Sequence, residues 1–327
     1  MKLALGPLHY YWTHETVRQF YRDMADTPVD IVYLGETVCS RRHELRLADW
    51  LDIAHQLKQA GKEVILSSQV LLESESDLKT LRQIISHAND FTIEANDMGA
   101  VHLLSGKALF VAGPHLNLFN AHSLRLMASL GAKRWVTPLE MSGAQLAALQ
   151  SHRPANMETE IFAWGRLPLA WSARCFTARA HNLPKDDCQF RCLDYPQGLL
   201  MNTREDKAFL VLNGIQTQSA HTHNLLPELD ALHACQVDIL RISPQPEHTR
   251  DIVALFRNAI DTTENPACRQ QTPEAVNTLQ ALAAFAPQGL CNGYWYGQPG
   301  MAQQNTVQQN TVQRNAAQRN AAQGKQP

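Results

Sequence analysis

The chain has 327 residues, enough for one large domain or two of average size. Its hydrophobic content of 44% and formal net charge of −2 are typical of a soluble globular protein and give no support for a polyanionic partner such as nucleic acid. No apolar run approaches the roughly 18 residues of a membrane span. The apolar N-terminal stretch is broken at Gly6-Pro7 and lacks a signal-peptide cleavage site, so we expect a cytoplasmic protein.

Short strand-like runs alternate with amphipathic helical stretches along most of the chain. The eight predicted strands are residues 2–7, 30–36, 63–69, 90–97, 108–113, 134–140, 157–165 and 237–244. Helical patterns follow most of them, and residues 48–61, for example, carry apolar side chains at helical spacing and end at Gly61. This alternation predicts an α/β chain with a (β/α)8 TIM-barrel-like fold. A nucleotide-binding sheet is disfavoured, because no glycine-rich phosphate motif follows the first strand.

The stretch 166–223 interrupts the alternation after the seventh strand. Within it, residues 209–219 are typical of a β-hairpin that turns at Asn213-Gly214. Loops that follow barrel strands lie on the C-terminal face, where active sites form, so we expect the insertion there. We therefore predict a single TIM-barrel-like domain over residues 1–295, including this insertion. Residues 296–327 are predicted to be a disordered tail, because their Gln-, Asn- and Ala-rich repeats cannot bury enough apolar surface to become ordered.

Three of the seven cysteines lie within eighteen positions, with the spacing C-x12-C-x3-C. They are Cys175, Cys188 and Cys192. In a reducing compartment, clustered cysteines favour metal binding or catalysis over disulfides. A tetrahedral zinc site or a cubane iron–sulfur cluster needs a fourth ligand, and spacing alone leaves these two groups nearly even. Unligated buried thiols are the remaining alternative.

The fourth ligand has to come from another part of the chain. The candidates are Cys39, Cys235, Cys268, Cys291 and His181. Cys39 is the best placed, because it follows the second predicted strand and should lie on the same barrel face as the insertion. Cys235 is expected on the opposite face, as a buried and inert thiol.

The segment EIFAWGRLPLAWSARC (160–175) resembles the signature of the collagenase-like peptidase family, in which a Glu-x-Phe-x-x-Gly strand leads into a cysteine-bearing loop. Cys39 combined with C-x12-C-x3-C, together with LALGPLHYYW and VYLGETVCSRRHEL, is similar to the members of that family that serve ubiquinone biosynthesis. The similarity covers residues 1–295. It implies a 4Fe-4S cluster held by the four cysteines Cys39, Cys175, Cys188 and Cys192.

The same resemblance implies a function and partners. It implies a heterodimer with a homologous UbiU-like subunit that carries its own cluster. Together the two subunits would support oxygen-independent hydroxylation of the ubiquinone ring during anaerobic growth, with prephenate as the hydroxyl donor. A lipid-carrier protein, UbiT, would present the hydrophobic ubiquinone precursor.

Four charged residues near predicted strand ends are candidates for substrate binding. Arg241 ends the eighth predicted strand, Arg166 follows the seventh, and Arg41 and Glu36 flank the Cys39 segment. An arginine fork pairs well with a carboxylate, as a carboxylate-bearing hydroxyl donor would require. A buried acid with a raised pKa could donate a proton. Each of the four could equally serve a structural ion pair.

Three other functions compete with this one. Peptidase activity is disfavoured, because neither a G-x-S-x-G nor an H-E-x-x-H motif is present and thiolates committed to a cluster are not nucleophiles. RNA hydroxylation, known among relatives in the family, would require a basic face and an additional nucleic-acid-binding domain. A non-enzymatic scaffold stabilised by zinc is the third, and metal content distinguishes it from the iron–sulfur hypothesis.

Overall fold

The structure, a computed structural model, describes residues 1–264 and 281–304, so the candidate ligand Cys268 lies outside the described residues. In chain order the strands are β1 (Lys2–Leu5), β2 (Ile31–Leu34), β3 (Glu63–Ser67), β4 (Thr92–Ala95), β5 (Phe110–Ala112), β6 (Ala132–Val136), β7 (Glu158–Trp171), β8 (Leu199–Asn202), β9 (Ala208–Asn213), β10 (Gln216–Asn224), β11 (Ile239–Ile242) and β12 (Leu290–Cys291). The helices are α1 (His14–Ala25), α2 (Leu47–Gln59), α3 (Glu75–Ile85), α4 (Met98–Leu104), α5 (Ala121–Ser129), α6 (Gly143–Gln150), α7 (Phe176–Ala180), α8 (Leu229–Ala234) and α9 (Thr249–Glu264).

Strands β1 to β7 and β11 form a closed parallel barrel. Each of β1 to β6 pairs in parallel with the next strand, and β11 pairs in parallel with both β7 and β1. The closing register places Lys2 opposite Ile239 and Ile239 opposite Glu160. The predicted eight-stranded TIM-barrel-like fold is therefore confirmed.

The helices form a layer around the barrel and bury one apolar face against it. In α9, Ile252, Val253, Phe256 and Ile260 are buried, and the ring of Phe256 meets Trp164 of β7 edge to face. Burying each such side chain contributes about 1.5–3 kcal/mol. Local sequence fixes the helix starts: Ser74 and Ser142, for example, each form a capping box that satisfies free N–H groups at the first turn.

The interior of the barrel is unusual because it combines an apolar layer with charges. The apolar layer consists of Ala4, Ile31, Tyr33, Ile65, Val111, Val136 and Ile239. Four charged residues, Glu94, Arg134, Glu160 and Arg241, are buried with it at 3% exposure or less. Barrel interiors are usually filled by branched apolar side chains, so these four residues require partners.

The insertion is built on an extension of the seventh strand. Strand β7 continues to Trp171, six residues beyond the predicted end of the seventh strand, and pairs antiparallel with β10. Arg166 therefore lies within β7, and the prediction that it follows the strand was wrong.

The β9–β10 hairpin is confirmed, but its loop is Gly214 and Ile215, one residue later than predicted. Gly214 has a φ of +67°, which suits glycine.

The start of the predicted tail is bonded to the body of the protein. The side chain of Asn292 accepts a hydrogen bond from the backbone of Gln304, and its backbone N–H donates to the carbonyl of Ala302. The remainder of the predicted tail, residues 305–327, lies outside the described residues. Among the described residues no helix has both the length and the apolar character required to span a membrane.

Candidate metal centre

Cys39 lies in a loop that leaves β2 at the C-terminal end of the barrel. Glu36 holds this loop, since its carboxylate accepts hydrogen bonds from the backbone N–H groups of Val38 (2.9 Å) and Cys39 (3.0 Å). Gly35, with φ +129°, begins the loop at a point where an added Cβ would lie 2.8 Å from the carbonyl oxygen of Ser67. Burial raises the pKa of Glu36, and Arg42 opposes that shift. Glu36 therefore positions the cysteine loop.

The other three cysteines of the predicted set lie in the insertion. Cys175 begins helix α7, and its sulfur accepts a hydrogen bond from the backbone N–H of Ala178 at 3.4 Å. Cys188 follows the short 3-10 turn Lys185–Asp187, and Cys192 lies in the turn Arg191–Asp194. The β9–β10 loop anchors α7, because the Gly214 carbonyl accepts from the N–H of Phe176.

The structure brings all four cysteines into one buried region. Cys39, Cys175 and Cys188 share an apolar cluster with Val38, Ala178 and Ile215. Cys192 completes the group, because its thiol interacts electrostatically with those of Cys39 and Cys175. The four are 7–9% exposed, and all are free thiols. Two segments that are 136 residues apart at their nearest cysteines (175 − 39) thus meet at one place.

Burial favours the protonated form of three of these thiols. Burial raises the pKa of Cys39, Cys175 and Cys192, although Arg42 acts in the opposite direction on each. A protonated buried thiol is a poor nucleophile, whereas a bound metal ion displaces the proton. The arrangement suits metal ligation better than covalent catalysis.

Arg42 is the buried cation of this centre. Its Nη1 donates to the carbonyl of His9 (2.6 Å), its Nη2 donates to Oδ1 of Asn213 (2.7 Å), and it lies within hydrogen-bonding reach of the Cys192 thiol. Glu36 is 3.6 Å from Nη1. Arg42 therefore links the first barrel loop, the β9–β10 loop and the cysteine segment.

Arg41 connects the loop of Cys39 to the segment of Cys188 at the protein surface. Its Nη2 donates to the carbonyl of Asp186 at 2.5 Å, two residues before Cys188, and its Nη1 lies 3.8 Å from the Asp186 carboxylate. Its side chain is 38% exposed. The sequence predicts a substrate contact at Arg41, and that role stays a prediction beside the contact with Asp186.

The four thiols are the side chains in this region that could hold a metal group. Within residues 1–264 and 281–304, no three Cys, His, Asp or Glu side chains lie close enough to hold a single metal ion. The four sulfurs of a tetrahedral zinc site lie about 3.8 Å apart, at the usual Zn–S bond length. In a cubane cluster each thiolate binds a different iron, so the sulfurs are more widely spaced. Four thiolates are soft donors in the number that either a tetrahedral zinc ion or a cubane cluster takes.

Arg241 and Glu94 lie at the barrel mouth, close to the thiol centre. Arg241 donates to Glu160 through Nε (2.5 Å) and to Glu94 through Nη2 (2.8 Å), and its guanidinium lies over the ring of Tyr33 at 4.1 Å. Tyr33 in turn donates to the second oxygen of Glu160 at 2.5 Å. Two carboxylates thus hold the guanidinium of Arg241 in place.

The hydrogen bonds of Arg166 go to segments other than the loops at the barrel mouth. Its Nη1 donates to the carbonyl of Gln197 (2.5 Å) and its Nη2 to Oε1 of Gln288 (2.7 Å). These bonds connect β7 to the insertion and to the C-terminal segment. The structure therefore groups Arg166 with structural contacts, apart from Arg241.

The sequence analysis missed several residues at the mouth. A small cavity there is lined by His9, Thr37, Asn96, His115 and Ser243, as well as Arg241 and Glu94. The first five of these residues follow barrel strands, so the rule that loops after strands form the site could have identified them. Nothing in a single sequence separates them from ordinary loop residues.

A comparison with protein-family models agrees with the family resemblance. The family model described as "Peptidase family U32" matches residues 12–305. Among solved structures, the U32 peptidase Mk0906 is 12% identical, with a TM-score of 0.43 over 75% of this chain and 93% of that one. The spore cortex-lytic enzyme SleL of Bacillus megaterium QM B1551 is 9% identical, with a TM-score of 0.40 over 79% and 73% of the two chains.

Proposed function

Because this chain belongs to peptidase family U32, and because its four convergent thiols suit a cluster, we propose that it is the iron–sulfur subunit of an oxygen-independent hydroxylase in ubiquinone biosynthesis. Its motifs resemble those of the ubiquinone biosynthesis protein UbiV. In this proposal Cys39, Cys175, Cys188 and Cys192 hold a 4Fe-4S cluster. The cluster would supply electron transfer, which hydroxylation without oxygen requires.

The observation that carries the proposal is the convergence of four free thiols from two distant segments in one buried region. The four do not form disulfides with one another, so all four sulfurs are available as ligands. The N–H of Ala178 and the guanidinium of Arg42 already point hydrogen-bond donors at sulfur. Donors of this kind tune the reduction potential of iron–sulfur centres.

The residues of this chain would have three tasks around the cluster. The Glu36 carboxylate holds the loop of Cys39, and the Arg41 side chain joins that loop to the segment of Cys188. Arg42 supplies one buried positive charge, which offsets part of the negative charge of four thiolates. The apolar side chains of Val38 and Ile215 exclude water from the thiols.

The partners and the compartment follow from the family resemblance. We propose a homologous UbiU-like subunit in a heterodimer, a UbiT lipid carrier that delivers the ubiquinone precursor, and prephenate as the oxygen donor. A reducing cytoplasm would keep the thiols available for the cluster. The peptidase alternative is disfavoured at Cys39, Cys175 and Cys192, because burial raises the pKa of each of these thiols and so lowers its nucleophilicity.

The test compares iron binding by two cysteine variants prepared without oxygen. Cys39→Ser should lose the broad visible absorption of the cluster and most of its iron, because one of four ligands is gone. Cys235→Ser is the matched control, since Cys235 is a lone, half-buried thiol after α8, and it should bind iron like the wild-type chain. Stoichiometric zinc in a colourless wild-type protein would overturn the proposal and favour a zinc-stabilised scaffold.

A further inference from the structure

Asn213, the last residue of β9, holds the guanidinium of Arg42 through a hydrogen bond between two buried side chains. Nη2 of Arg42 donates to Oδ1 of Asn213 at 2.7 Å, and Nη1 donates to the backbone carbonyl of His9 at 2.6 Å. Asn213 is 2% exposed and Arg42 is 4% exposed. Because a guanidinium is a rigid fork, an acceptor at each of its two tips sets the direction of the whole group.

The amide of Asn213 has one orientation that satisfies its neighbours. Its Nδ2 donates to the carbonyl of His9 at 2.8 Å and to Oε1 of Gln216 at 2.9 Å, so its Oδ1 faces the guanidinium. Oε1 of Gln216 also accepts a hydrogen bond from Nε2 of Gln218 at 2.8 Å, which fixes the acceptor that Asn213 uses. The reversed amide would place an NH2 group against Arg42, and two donors form no hydrogen bond.

The backbone that follows Asn213 is fixed as well. The N–H of Gly214 donates to Oγ1 of Thr177 at 2.9 Å, and the carbonyl of Gly214 accepts from the N–H of Phe176 at 3.0 Å. A Cβ added to Gly214 would lie 3.1 Å from Nη2 of Arg42. The hairpin loop therefore packs directly against the guanidinium and is bonded to the helix that follows Cys175.

From this anchored position Arg42 reaches the thiols. Its guanidinium lies within hydrogen-bonding reach of the Cys192 thiol, and its positive charge also acts on Cys39 and Cys175. Its Nε is buried without an acceptor among the described residues, so one donor remains for a sulfur of the bound group. Asn213 itself has no hydrogen bond to a thiol among the described residues, and any effect on the sulfurs passes through Arg42.

We propose that Asn213 is a positioning residue that holds the guanidinium of Arg42 beside the cysteine sulfurs and thereby raises the reduction potential of the group that they bind. A cluster gains one negative charge when it takes up an electron, and a buried cation beside it favours the reduced form. A guanidinium that is free to turn away favours the reduced form less. This role rests on the proposed function, because it requires a redox group at the four cysteines.

The test is the reduction potential of iron-loaded Asn213→Leu, measured without oxygen by titration against dyes of known potential. Leucine keeps the approximate size of the side chain and removes all three hydrogen bonds of the amide. The equilibrium constant for one-electron reduction should fall about tenfold, which lowers the potential by about 59 mV. An unchanged or higher potential would overturn the proposal.

Asn213→Asp is the second variant, because it keeps the shape of the side chain and the acceptor for Nη2 and so perturbs folding less. Its negative charge offsets that of Arg42, and the potential should fall at least as far as in Asn213→Leu. A wild-type potential in Asn213→Asp would contradict the proposal.

A matched control separates this role from a general disturbance of the insertion. Asn224 is 3% exposed and ends β10, where its Oδ1 accepts a hydrogen bond from the backbone N–H of Leu226. Asn224→Leu removes a buried amide of the same kind and should leave the potential at the wild-type value. A shift as large as that in Asn213→Leu would overturn the assignment to Asn213.

A double-mutant cycle tests whether the effect passes through Arg42. In the Arg42→Met background, Asn213→Leu should shift the potential by less than half as much as it does in the wild type, because the guanidinium that it positions is gone. Equal shifts in the two backgrounds would show a structural effect that bypasses Arg42, and would overturn the proposal.

Failure of this role and failure of the proposed function give different results. Wild-type protein that holds zinc or no metal would overturn the proposed function, and the role in setting a potential with it. Iron-loaded wild-type protein whose potential is the same in Asn213→Leu would overturn the positioning role alone.

Discussion

The barrel interior and the cysteine centre both bury ionisable groups, but they satisfy them in different ways. In the barrel, opposite charges meet: Arg241 binds Glu94 and Glu160, and Arg134 binds Glu158 at 2.7 Å. In the cysteine centre, four groups of the same kind meet, and all would become negative on ionisation.

This difference indicates which region needs a bound cation and which has all of its charge partners within the protein. The barrel network needs nothing from outside, because each buried charge has a partner of opposite sign. Among the described residues, Arg42 is the one buried cation that acts on the four thiols, and the thiols cannot satisfy one another as thiolates. A set of ligands with one sign is built for an added cation, which is why we assign function to the cysteine centre and architecture to the barrel interior.

Glu160→Gln should have the largest effect, a loss of folding stability, and it tests whether the charge network in the barrel interior is stabilising. The change removes a fully buried charge that bonds Arg241 and Tyr33, and it leaves the arginine less well compensated. Loss of one partner of a buried pair costs about 3–5 kcal/mol. Urea unfolding should show this loss equally with and without iron.

An exposed pair provides the control for this variant. Glu75 lies 2.8 Å from Arg82 on the surface of α3, and Glu75→Gln should cost less than about 1 kcal/mol. If Glu160→Gln were as mild as Glu75→Gln, the barrel network would not be the stabilising element that we describe.

Arg42→Met and Arg42→Lys test the cysteine side. Methionine removes the charge, and lysine keeps the charge but loses the fork that reaches His9 and Asn213 together. Release of iron to a chelator should be at least tenfold faster in Arg42→Met, with Arg42→Lys between it and the wild type. Arg22→Met, on the exposed face of α1, should release iron at the wild-type rate.

His9 lies between the two regions and makes the free energy of unfolding depend on pH. Its folded pKa of about 3 is below the unfolded value of about 6.5, so the unfolded chain binds the extra proton. The corresponding stability is complete above pH 6.5 and is lost as the pH falls towards 3. Between pH 6.5 and pH 5 the loss should be about 2 kcal/mol. In His9→Gln, the plot of unfolding free energy against pH should be flatter by this amount.

Arg41→Ala should have the smallest effect and decides between two roles for this residue. As a fastener of the cysteine segments, a half-exposed arginine contributes modestly, so iron release should be about two- to threefold faster. As a substrate contact, it would instead raise KM and leave iron release unchanged. Measuring both quantities on one preparation separates the roles.

The barrel could be predicted from the sequence because the pattern that indicates it, strand followed by helix, is local. Strands alternate with helices along the chain outside residues 166–223, and eight strands in this pattern are typical of a closed barrel. The site of Cys39 was predictable for a related reason, since a residue that follows a strand must lie on the C-terminal face. The ends of strands were harder to predict. Strand β7 continues to Trp171 because β10 pairs with it, and the residue opposite Trp171 is Gln216, 45 residues further along the chain.

The barrel network was not predictable from single residues. Tyr33, Arg134 and Glu160 each occur in an ordinary strand pattern, and they meet only because the closed barrel points all three inward. The Arg41-Arg42 pair shows the same limit. The two residues are adjacent and chemically identical, yet Arg41 is 38% exposed and Arg42 is 1% exposed at the side chain. Only the fold decides which of them reaches the thiols.

The central claim is that the four cysteines hold one iron–sulfur cluster. The most direct measurement is the ratio of iron and acid-labile sulfide to protein, together with the Mössbauer spectrum, for the wild-type chain prepared with 57Fe in the absence of oxygen. The account predicts four irons and four sulfides per chain in a single cluster. Iron-free protein, or iron that is mononuclear, would contradict it.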